Sequence, residues 1–137
     1  MGSASTFWIV GFVDCPLPWW YRIFCRRYFR HCFALRYNER YGLWIFMEWT
    51  ARGMFVEEYH GPYVDMILEE AAQRGTLVSY KAEPMDQISV PWQPLYCVSW
   101  LKHLLNIPGF AITPYQLFCE LRKRGGEVIT SKYSSGV

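Results

Sequence analysis

The chain has 137 residues, 52% of them apolar and 19% aromatic, which is enough hydrophobic material for one packed core and predicts a single domain. Fourteen Lys and Arg against twelve Asp and Glu leave a net charge of +2, so the strongly basic balance of a nucleic-acid binder is absent. The longest apolar run, Phe7 to Val13, stops at Asp14, Pro16 and Pro18, far short of the ~18 residues of a membrane span, and it lacks the basic start and small-residue cleavage site of a secretory signal. The expectation is therefore no membrane and a reducing compartment.

Phe7 to Val13 is rich in β-formers and apolar on both faces, so it reads as a central strand. Trp19, Trp20, Ile23, Phe24 and Arg27 then recur at helical spacing behind Pro18, with arginines on the other side. Three β-type runs follow, Phe29 to Tyr37, Leu43 to Thr50 and Met54 to Tyr59, joined by short Gly-containing segments that can link only antiparallel neighbours. Pro62 to Arg74 predicts a helix stopped by Gly75, and Thr76 to Lys81 a further strand. Glu83 to Pro94 reads as a Pro-rich loop, and Leu95 to Asn106 as a helix ending before Pro108-Gly109. Thr113-Pro114-Tyr115-Gln116 has the capping-box form and opens a last helix that Gly125-Gly126 ends. The predicted fold class is α+β, an antiparallel β-meander packed against helices, with one domain over 1–130 and a polar tail over 131–137.

The five cysteines, Cys15, Cys25, Cys32, Cys97 and Cys119, are odd in number and contain no CxxC, which argues for reduced thiols and against a disulfide framework or zinc knuckle. A metal site from His31, Cys32 and His60 is disfavoured because adjacent strand residues point to opposite faces. No cofactor is predicted. Cys97 differs from the others by lying in the first turn of its helix, where unpaired amides and the helix dipole favour a thiolate. Its face also carries Leu101 and Leu104, so the thiol is directed inward.

A base for that thiol must come from elsewhere in the chain. His103 falls on another face of the same helix and His60 in a turn, which leaves His31, alternating with Phe33 and Leu35 on one side of its strand. A ring on an apolar sheet face needs a polar partner, and Glu48 is the acid of the adjacent strand. Two registers are open. If paired positions sum to 79, His31 faces Glu48; if they sum to 80, His31 faces Trp49 and Glu48 faces Cys32.

A strand histidine, a polar residue on the next strand and then the helix-initiating Tyr96-Cys97-Val98-Ser99-Trp100-Leu101-Lys102 together resemble circularly permuted papain-like domains of the NlpC/P60 superfamily. With Thr113-Pro114-Tyr115-Gln116-Leu117 they are also similar to small phage-encoded proteins of that type, over Phe29 to Gly125. The resemblance implies a papain-like fold in which Cys97 is nucleophile, His31 base and Glu48 third residue. Departures are a more usual histidine or amide in that third role, and the Trp-rich segment before Tyr28, which has no place in the pattern. Thiol hydrolysis of an amide, ester or thioester would follow, with the peptidoglycan cross-peptide the natural substrate, helix-start amides as oxyanion hole and Gln93 as a further donor. The resemblance places such a protein in a virion or the host cytoplasm.

The rival reading is a non-catalytic virion or tail protein that binds its partners through surface aromatics. Seven tryptophans are a large payload for one small core, and Trp19 and Trp20, rimmed by Arg22, Arg26 and Arg27, are the candidate contacts. An enzyme predicts a cleft over Cys97, and a scaffold predicts Cys97 sealed beneath side chains.

Overall fold

The computed structural model describes residues 6–14, 31–50, 53–82, 96–109, 111 and 113–131. In chain order the elements are β1 (Thr6–Val13), β2 (His31–Asn38), β3 (Leu43–Thr50), β4 (Gly53–Tyr59), α1 (Gly61–Arg74), β5 (Gly75–Ala82), α2 (Tyr96–Leu104), α3 (Pro114–Lys123) and β6 (Glu127–Ser131). The strands form one six-stranded sheet in the order β4-β3-β2-β1-β5-β6, with every neighbouring pair antiparallel. The α+β class and the β2-β3-β4 meander agree with the sequence reading. The expected helix around Trp19 and the loop Glu83 to Pro94 lie outside the described residues. So do Gln93, Arg22, Arg26 and Arg27.

β1 is central, as its doubly apolar run requires, with β2 on one side and β5 on the other. Gly11 sits opposite Phe33 on β2. The Phe33 ring crosses the space a side chain would take, since a Cβ on Gly11 would lie 2.1 and 2.3 Å from two of its carbons. Antiparallel pairing throughout makes β4 and β5 parallel to each other, so the chain between them must return across the sheet, and α1 does so. Gly75 at the end of α1 is extended (φ −177°) rather than left-handed. It is needed for close approach instead, because a Cβ there would meet the Phe12 carbonyl oxygen at 1.8 Å.

Strand alternation sends two sets of side chains to two cores. Trp8, Val10, Phe12, Cys32, Ala34, Val78 and Tyr80 meet Val98, Leu101 and Leu105 of the α2 region and Leu117 and Leu121 of α3. Val13, Phe33, Leu35 and Leu77 meet Val64 and Ala71 of α1 on the other face. The sheet is thus covered on both sides over its centre, and Trp8, Trp44 and Trp100 belong to these cores rather than to a free surface.

Two further details position the elements. The capping box of α3 forms as read: the Gln116 amide donates to Thr113 Oγ1 at 3.2 Å, and the Thr113 amide donates to Gln116 Oε1 at 3.1 Å. β6 is an addition, because Glu127 to Thr130 carried no expected element and the tail was expected from Ser131, which instead ends the strand.

Candidate functional site

The β2–β3 connection settles the register that the sequence left open. Asn38 pairs with Leu43 across the intervening turn 39–42, in which Gly42 has φ +65° and donates its amide to the Asn38 carbonyl at 2.9 Å. The Asn38 side chain accepts from the Arg40 amide at 3.1 Å, closing the turn further. Pairs such as Phe33 with Glu48 and Leu35 with Phe46 therefore sum to 81, neither of the two expected values. A shift of two residues preserves the facing, so His31 and Glu48 still share a face as diagonal neighbours. His31 Nε2 lies 2.8 Å from Glu48 Oε2, a hydrogen bond in which the ring N–H donates. The pair is half-buried, with side-chain exposures of 20% and 27%.

His31 and Glu48 line a cavity of about 260 Å³ between the sheet and α1. Phe33 and Phe46 supply aromatic wall, Val13, Ile67 and Ala71 aliphatic wall, and Glu70 and Arg74 the remaining polar groups. Arg74 is anchored at that position. Its guanidinium donates to the Asp14 carbonyl at 2.9 Å, the Asp14 amide donates back to the Arg74 carbonyl at 3.2 Å, and Glu70 lies 3.8 Å away. The end of α1 is thereby clasped to the end of β1. Neither Glu70 nor Arg74 was singled out from the sequence; the signal lay in their spacing with Ile67, at i+3 and i+7 on one helix face.

Cys97 and His31 are carried on elements that meet opposite faces of the sheet. Cys97 is in the first turn of α2, as expected, but α2 rests on the sheet face bearing Cys32 and Ala34, whereas His31 points to the α1 face with Phe33 and Leu35. The body of the sheet thus stands between His31 and the buried Val98 and Leu101 of α2. The Cys97 side chain itself and Gln93 lie outside the described residues, as do Trp19 and Trp20. Of the other thiols, Cys32 is fully buried and Cys119 is exposed.

The α2 face holds one unexpected charge. Lys102 is fully buried, and its Nζ donates to the carbonyls of Gly109 at 2.6 Å and Ala111 at 3.1 Å. Burial pulls its pKa below the ordinary lysine value, with Glu120 acting in the opposite direction. This ammonium holds the chain leaving α2 and is remote from the cavity. Two arginines stack on rings: Arg36 of β2 lies over the Trp8 ring at 5.7 Å, and Arg40 of the following turn lies beside Tyr41 at 5.5 Å. Among the described residues there is no group of three or more His, Cys, Asp or Glu placed to hold a metal ion, and no helix long and apolar enough to cross a membrane.

Comparison with protein-family models, curated proteins and solved structures returned no match. The functional reading therefore stands on the geometry of the site and on the sequence motifs.

Proposed function

We propose that the chain is a non-catalytic binding domain whose recognition site is the cavity between the sheet and α1. The observation that carries this reading is the sheet itself, which lies between the body of the Cys97 helix and His31 and leaves the His31–Glu48 pair facing a cavity with no thiol or hydroxyl among its described lining residues. At about 260 Å³ the cavity is just below the ~300 Å³ at which drug-sized sites begin, so it suits a side chain or a small molecule. Phe33, Phe46 and Ile67 would take its apolar body, and Glu48 a hydrogen-bond-donating head. The resemblance to small phage-encoded proteins supplies a setting for such a domain in a virion or tail.

Phenethylamine is a suitable probe of that chemistry. Titrated into the protein, it is expected to shift the NMR signals of Phe33, Phe46 and Ile67 saturably, and Glu48→Gln is expected to abolish the effect. Shifts that ignore Glu48→Gln would sink the proposed site.

The second reading is the thiol hydrolase, with Cys97 as nucleophile acting on an amide or peptidoglycan cross-peptide. It is favoured by the His31–Glu48 hydrogen bond, which is the contact a base and its orienting residue need. Iodoacetamide labelling separates the two. A binding domain labels at Cys119 before Cys32, with Cys97 reacting at the same rate in wild type and His31→Ala. Rapid Cys97 labelling near about pH 6 that is lost in His31→Ala would establish the hydrolase instead.

A further inference from the structure

β4 is an edge strand of the sheet among the described residues. Its partner β3 satisfies one side of its backbone, and no described strand pairs with the other side, whose peptide groups can take a further strand. Along it Met54, Phe55 and Val56 are 41%, 41% and 52% exposed, an unusual apolar load for an edge. Glu57 and Glu58 follow directly and are also exposed, and no basic residue lies between Gly53 and Tyr59. On the α1 side, Tyr63 stacks against Tyr59 at 4.7 Å between ring centroids and Glu70 lies further along the same helix face, so apolar surface and acid recur there as well.

We infer that β4 receives an extended segment of a partner protein in which two consecutive basic residues are followed by apolar ones. Antiparallel addition gives the order directly. The two basic residues would stand opposite Glu58 and Glu57, and the next three opposite Val56, Phe55 and Met54. Backbone hydrogen bonds would supply affinity, and the alternating side chains would select the sequence. A second copy of this chain fits poorly: antiparallel self-pairing about Val56 sets Glu57 against Phe55 and Glu58 against Met54, pairing acid with hydrocarbon at four positions and forming no ion pair. The adjacent acids therefore keep copies apart and mark a basic partner as the one admitted.

The test uses a synthetic peptide containing Arg-Arg-Val-Ile-Val, titrated into the full chain and followed by NMR and calorimetry. Saturable binding is expected, with shifts centred on Gly53 to Tyr59 and affinity that falls with added salt. Glu57→Lys combined with Glu58→Lys is expected to weaken binding by about tenfold or more, since two attractive contacts become repulsive. Both positions are exposed, so the fold survives, as circular dichroism would show. Methylating alternate peptide amides keeps every side chain but removes the strand pairing, and should abolish binding. The inference is overturned if the peptide does not bind, if the methylated peptide binds equally well, if charge reversal has no effect, or if sedimentation shows the chain pairing with itself through β4.

Discussion

Replacing Lys102 by Met keeps most of the stem's packing and removes the charge, so it isolates what the buried ammonium does. Hydrogen bonds from a charged donor contribute about 1.5–3 kcal/mol each, and Lys102 makes two, to the Gly109 and Ala111 carbonyls. Against that loss, the variant no longer desolvates an ammonium, a cost of several kcal/mol in its own right, and Gly109 is exposed enough for water to reach it. The balance predicts a net destabilisation of about 1–3 kcal/mol at neutral pH, or roughly 3–9 °C in Tm for a chain of this size. The pH dependence has a definite sign. A depressed lysine pKa means that the unfolded chain holds more protons than the folded one just below 10.5, so wild-type stability from this group rises with pH through that window and is lost as pH falls through the folded value. The Tyr59 phenol, raised above 10.0 chiefly by burial, acts in the opposite sense, being fully stabilising only below 10.0. The difference between wild type and Lys102→Met, in which Tyr59 cancels, should therefore widen as pH rises toward 10.5. Urea denaturation at several pH values measures it. A Met variant as stable as wild type at pH 7 would refute the reasoning, because desolvation would then outweigh both hydrogen bonds.

Two other perturbations follow from the packing. Gly11→Ala forces the Phe33 ring aside and should cost about 1–3 kcal/mol by urea denaturation, whereas Gly75→Ala should cost more, because its obstacle is the backbone carbonyl of Phe12, which has no rotamer to escape into. Equal costs would show that ring and carbonyl yield alike. Thr113→Ala should lose about 1 kcal/mol with the capping box, and Thr113→Ser should retain most of it; matching thermal melts for the two would count against the cap.

The strands and helices were legible where periodicity and punctuation coincide. Leu43 to Thr50 emerges with its expected limits, and Pro62 to Arg74 differs by one residue, because flanking glycines and prolines fix where each can begin or end. β6 was missed because Val128, Ile129 and Thr130 form a run too short to stand out and depend on pairing with β5. The His31–Glu48 contact was legible as chemistry, an acid on the strand beside an imidazole that faces an apolar layer, but its register was set by the turn 39–42, whose geometry follows from Gly42 and the Asn38 side chain together. The face covered by the helix of Cys97 was not legible: an amphipathic helix shows which side it buries but not which side of a sheet it meets. Lys102 was hidden for a similar reason, since its acceptors are carbonyls whose position no residue type announces.

The alternation along β2 makes the separation of the His31 imidazole from the α2 layer a matter of one residue. His31 and Cys32 are consecutive and face opposite layers. A single-residue bulge at the first position of β2 would turn the imidazole toward the layer in which Cys97 travels, while Phe33 to Asn38 kept their places. The two functional readings of this chain are thus adjacent in sequence space. An inserted or deleted residue at the mouth of that strand, with His31 and Glu48 themselves unchanged, is the smallest step that could carry a protein of this architecture from one to the other.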